Sequence, residues 1–71
     1  MARAKRGLTE RQTTILMLAS EGYGAKQTAR LLHLTVSSVK RSKGRIYQKL
    51  GAWNMTHAVA LWLRDKYGIT T

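Results

Sequence analysis

The chain of 71 residues carries 13 Lys and Arg against 3 Asp and Glu, giving a net charge of +10 and a pI near 11.1, and it contains neither cysteine nor proline. So short a chain is one domain near the lower limit for unaided folding, with a margin of about 3–5 kcal/mol, and without thiols it has no disulfide framework or thiolate zinc site to add to that margin. No run of signal-peptide length follows the basic start MARAKRG and no segment approaches the ~20 apolar residues of a membrane span, so the expectation is a cytoplasmic, nucleoid-associated protein with no membrane partner.

The same composition argues against catalysis. Three scattered acids (Glu10, Glu21, Asp65) and two separated histidines (His33, His57) offer no nucleophile–base pair and no metal cluster. Neither an enzyme activity nor a cofactor nor a metal is expected. A pI this high favours nucleic acid as the partner, ahead of an anionic membrane surface.

In chain order, residues 1–7 form a basic arm expected to be flexible, residues 8–67 the domain, and residues 68–71 a tail. Arg3, Lys5 and Arg6 of the arm either reach along DNA phosphates and into a minor groove or form a solvated tail. Thr9 followed three residues later by Gln12 is a capping box, with Leu8 placed to staple onto the first turn, so a first helix is expected over 10–20. Ile15, Leu16 and Ala19 share a face with Gln12. Gly22 suits the position after that helix, and Gly24 opens a second helix over 25–32, burying Ala25, Ala29 and Leu32.

Only His33 and Leu34 separate this helix from Thr35, a good N-cap. Two short helices joined so tightly make a helix-turn-helix, the unit that sets its second helix in the DNA major groove. That second helix, about 36–50, buries Val36, Val39, Ile46, Tyr47 and Leu50 and turns an almost purely cationic side outward. Ser37, Lys40, Arg41, Gly44 and Gln48 are the expected base-reading positions; Arg41 either pairs bidentately with guanine or touches phosphate. Lys26, Thr35, Ser38, Lys43, Arg45 and Lys49 are expected at phosphates, together with the arm.

Two residues sit badly on this helix. Gly44 costs about 1 kcal/mol relative to alanine in a helix interior, so either its backbone closely approaches DNA or another helix, or the helix kinks and its reading part ends near Lys43. Lys43 falls within the apolar arc and is expected to lay its stem on Val39 and Tyr47 and deliver its charge to a phosphate at the edge, the alternative being a shortened or rotated helix. A last helix over about 55–66, capped by Asn54 or Thr56, is apolar around about 200°. Met55, Ala58, Leu61, Trp62 and Asp65 are expected to form a homodimer or partner interface, the alternative being that Trp62 completes the core.

Leu8-Thr9-Glu10-Arg11, the run Gly22 to Ala29, Ser38-Val39-Lys40-Arg41, the run Ile46 to Gly51 and Thr56-His57-Ala58-Val59 resemble, in order and spacing, the successive motifs of the LuxR/GerE/FixJ-type DNA-binding domain. The resemblance runs from Leu8 to Leu63. It implies an all-α, four-helix domain, unrelated to the winged helix, of the kind found in bacterial transcription regulators, whose third helix reads the major groove and whose fourth mediates dimer contact. It places Lys40, Arg41 and Gly44 at bases and Lys26, Thr35, Ser37 and Lys49 near phosphates. Gln12 and Gln27 replace the family's usual glutamates, Thr28 its isoleucine, Ser42 a frequent histidine, Lys43 an apolar residue and Met55 a frequent arginine.

The expected function is therefore sequence-specific binding of double-stranded DNA by a bacterial or phage-type transcription regulator. It resembles the stand-alone, GerE-like members that have no sensor domain of their own. Nonspecific nucleic-acid binding is the alternative, as is a module that docks through its last helix on RNA polymerase or another regulator.

Overall fold

Thr9 opens the first helix with the exchange its spacing from Gln12 predicts: in the computed structural model, which describes residues 7–68, the Thr9 hydroxyl accepts the Gln12 N–H at 3.1 Å and Gln12 Oε1 accepts the Thr9 N–H at 3.1 Å. Helix α1 (Glu10–Ser20) then runs until Gly22, at φ 97°, turns the chain. There the Gly22 and Tyr23 amides bond back to the carbonyls of Ala19 and Leu18 at 3.0 and 3.1 Å, the two bonds of a Schellman motif.

Helix α2 (Ala25–Leu32) has Gly24 as its N-cap and compensates for the missing side chain by folding Gln27 Oε1 back onto the Gly24 N–H at 3.1 Å. It ends in a second Schellman motif. Leu34 N–H reaches Ala29 O at 2.8 Å and His33 N–H reaches Arg30 O at 3.3 Å, with His33 itself left-handed at φ 58°, ψ 43°.

Thr35 caps helix α3 (Val36–Leu50), its hydroxyl accepting the Ser38 N–H at 3.0 Å. The helix continues unbroken through Gly44 to a left-handed Gly51, so a shortened reading helix is excluded. Helix α4 (Met55–Tyr67) takes Asn54 as its cap, with Asn54 Oδ1 accepting the His57 N–H at 2.9 Å. Of the two candidate caps, Asn54 rather than Thr56 is used, and the helix runs one residue past the expected Lys66.

No strand occurs among the described residues, and the four helices bury one cluster. Leu8, Ile15 and Leu16 from the α1 end meet Ile46 and Leu50 of α3 and Ala58 and Trp62 of α4. Fully burying each large apolar side chain contributes roughly 1.5–3 kcal/mol. Val39 and Ala29 are buried with α2 against α3, as is Thr28. Ala25, Leu32, Val36 and Tyr47, expected inside, are half-buried at the margin.

For Ala58 and Trp62 the expected α4 interface is corrected here. Ala58 is fully buried and Trp62 only 4% exposed, and Met55 and Leu61 pack against the same core. Asp65 is half-buried on that inward side. The Lys66 ammonium lies 4.9 Å from the Trp62 ring centroid, capping the indole with a cation–π contact. The outward face of α4 consists instead of Thr56, Ala60, Arg64 and Tyr67, all exposed. The error has a physical source: with about 200° of apolar surface, helical periodicity alone does not choose the buried side.

Candidate nucleic-acid interface

The interface is built on α3, which packs against all three other helices. Burial of Val39, Ile46 and Leu50 fixes the rotation of α3 about its axis. That rotation leaves Ser37, Lys40, Arg41, Gly44, Arg45 and Gln48 exposed. Among the described residues none of these side chains has a hydrogen-bond or ion-pair partner, so their donors face solvent. The structure thus brings together all five expected base-reading positions and Arg45 on one continuous strip.

Lys43 is half-buried, which is compatible with a stem laid along the protein surface. Gly44 has no intramolecular reason to be glycine, because a Cβ built on it meets nothing within 4 Å. Approach of a second helix of the same chain is therefore excluded.

The expected phosphate positions divide. Lys26 is exposed in the first turn of α2. At the start of α3 the Thr35 hydroxyl is committed: it accepts from the Ser38 amide and donates to Ser38 Oγ at 3.0 Å. The free hydroxyl proton at this end belongs to Ser38, and of the first-turn amides those of Val36 and Ser37 remain open at the positive end of the helix dipole. Lys49 is the larger departure. Its Nζ donates to Gly7 O and to Gln12 Oε1, both at 2.8 Å, so the ammonium ties α3 to α1 instead of lying free for DNA. Arg3, Lys5 and Arg6 lie outside the described residues.

Beside the reading strip the N-terminal turn of α1 and α3 enclose an open cleft of about 510 Å³. Thr9, Glu10, Arg11 and Gln12 form one wall, and Ser38, Arg41, Ser42 and Arg45 the other. The sequence carries no signal for this cleft, since nothing in local periodicity places Glu10 and Arg41 on one surface. Sequence reasoning also passed over Trp53, which is 88% exposed in the α3–α4 loop. Its amide donates to His57 Nδ1 at 3.1 Å and its ring meets the imidazole edge-to-face at 5.9 Å.

Four helices in this order, with the second and third forming a tight helix-turn-helix that displays a cationic strip, are matched by the family model described as bacterial regulatory proteins of the luxR family over residues 6–62. The chain belongs to the luxR family. It is 39% identical over 59 residues, 83% of its length, to the transcriptional activator protein BjaR1 of Bradyrhizobium diazoefficiens. It is 38% identical over 52 residues, 73% of its length, to the response regulator protein VraR of Staphylococcus aureus. The chain covers 24% of the first of these relatives and 25% of the second, about a quarter of each. No solved structure matches it significantly. It is a LuxR-type helix-turn-helix DNA-binding domain, a transcription-regulator family that is not enzymatic. Among the described residues no helix is long and apolar enough to cross a membrane.

Proposed function

We propose that this domain recognises particular double-stranded DNA sequences in transcription regulation, laying α3 in the major groove with Arg41 paired to a guanine. The observation that carries the reading is the strip Ser37, Lys40, Arg41, Gly44 and Gln48, exposed and without intramolecular partners among the described residues. Arg41 supplies the planar fork that matches guanine O6 and N7, a pairing worth roughly 1–3 kcal/mol of discrimination against another base. Ser37 and Gln48 extend the reading along the groove. Lys26, Ser38, Lys43 and Arg45 hold the backbone, which sets affinity and register without reading sequence.

Two copies binding through the outward face of α4 would match a two-fold operator. The small Ala60 lets two helices approach closely there, with Tyr67 and the half-buried Val59 and Leu63 at the sides.

Selection of bound sequences from random duplex DNA at moderate salt tests both parts. The expected result is an enriched motif with two half-sites about 10 base pairs apart. Binding without any enrichment, with a steep salt dependence, would identify a nonspecific polyanion binder instead.

A further inference from the structure

Of the three acids in the chain, Glu10 alone lies in the cleft beside the reading strip. Glu21 sits at the far end of α1 and Asp65 on the core side of α4. Glu10 is exposed in the first turn of α1, where a carboxylate complements the positive end of the helix dipole. That role requires only a first-turn acid and does not explain the surroundings. Arg41 and Arg45 stand across the same cleft, and the carboxylate forms no ion pair with either among the described residues. An acceptor thus lines the same cleft as two guanidinium groups that have no partner among the described residues, on a surface whose excess of positive charge suits an anionic ligand.

We propose that Glu10 is a specificity-determining positioning residue, which keeps Arg41 from phosphates and directs it to base edges. A guanidinium has five donors, and two suffice for guanine O6 and N7. The remaining donors of a base-paired Arg41 are then free to meet Glu10 across the cleft, so on a cognate site the carboxylate is neutralised by the arginine that reads. On random DNA no base accepts Arg41, and a phosphate must compete with Glu10 for it while the carboxylate repels the strand. The penalty therefore falls on nonspecific binding. The inference rests on sequence-specific binding by α3.

The test compares the Glu10→Gln, Glu10→Asp and Arg41→Ala variants and the Glu10→Gln/Arg41→Ala double variant of the full chain, on the selected operator and on random duplex, across a salt series. For Glu10→Gln, random-DNA affinity is expected to rise on the order of three- to tenfold at ~0.1 M salt, with a salt slope steeper by about one phosphate contact. Operator affinity is expected to stay level or fall, so the specific-to-nonspecific ratio drops. Glu10→Asp restores the ratio, and in the Arg41→Ala background Glu10→Gln has little effect on random DNA. Thermal melts separate loss of the helix-dipole contribution, which lowers stability without tightening any binding.

An equal change on operator and random DNA, or an unaltered Glu10→Gln effect when Arg41 is absent, would overturn the inference, since Glu10 would then act only as a generic charge. If the wild-type chain itself selects no sequence, the functional reading fails before this one is tried. A selective wild type with an unchanged ratio in Glu10→Gln rejects the role of Glu10 alone.

Discussion

Lys49 in the last turn of α3 donates to Gln12 Oε1 at 2.8 Å across 37 residues of sequence, while the same oxygen accepts the Thr9 amide that starts α1. Both lone pairs of the Gln12 carbonyl are thereby used. The remaining reach of the ammonium, to Gly7 O at 2.8 Å, fixes the entry into the domain. In this domain the capping box is thus also a tertiary contact.

Replacing Lys49 with Met removes the donor while keeping most of the stem. A stability loss of about 1 kcal/mol is expected, and about 1–2 kcal/mol for Gln12→Ala, which also loses the cap. A double-mutant cycle in urea should give a coupling of roughly 0.5–1.5 kcal/mol. Strictly additive losses would show that the contact contributes nothing.

Arg41 and Arg45 lie one turn apart and are expected to fail differently on DNA. Arg41→Ala should lower operator affinity by about 1–3 kcal/mol and random-DNA affinity much less. Arg45→Ala should weaken both similarly and reduce the salt slope by about 0.9. Equal losses on operator and random DNA for both variants would remove the case for sequence reading.

Gly44→Ala separates folding from binding. The position is helical and a Cβ there meets nothing within 4 Å, so alanine should gain about 1 kcal/mol and raise the melting temperature by roughly 4–8 °C. If the glycine serves close approach of the α3 backbone to DNA, operator affinity should drop about tenfold or more in the stabilised protein. Unchanged affinity in a band-shift titration would leave Gly44 without a role at the interface.

His33 is the sole described non-glycine residue with positive φ, at 58°, and it occupies the position after α2 where glycine is favoured. His33→Gly is expected to stabilise the domain by about 0.5–1 kcal/mol and His33→Val to destabilise it by more. The reading as a turn residue is tested by melting both variants. Loss of stability in His33→Gly would mean that the imidazole makes a contact worth more than the backbone strain.

Trp62→Ala should unfold most of the population, because truncating a buried tryptophan costs about 3–5 kcal/mol, comparable to the whole margin of a domain this small. If two copies pair through the outward face of α4, Ala60→Glu and Tyr67→Ala should leave the fold intact and weaken that pairing. Circular dichroism and sedimentation read the two effects separately. A folded Trp62→Ala variant that no longer dimerises would restore the indole to an interface.

The helices were legible because their signals are local. Thr9 with Gln12, Thr35 and Asn54 are caps that act within three residues, and Gly22 and Gly51 occupy turns that need positive φ. The cationic side of α3 was legible for the same reason, since Val39, Ile46 and Leu50 on one face oblige Arg41 and Gln48 to take the other. Lys49 belongs to the same cationic run but has another role, because its partners are Gly7 and Gln12, 42 and 37 residues away.

By itself, then, the sequence determined four capped helices, a tight helix-turn-helix and an excess of positive charge on the reading side of α3. The tertiary structure decided which side of α4 is buried, sending Ala58 and Trp62 inward and Ala60 and Tyr67 outward, and it decided that Lys49 clamps α1 while Glu10 and Arg41 line one cleft. Capping and amphipathic rotation are settled within a turn or two of chain. The choice between two apolar sides of one helix, and the partner of a charge at its end, depend on which surfaces the other helices bring to meet them.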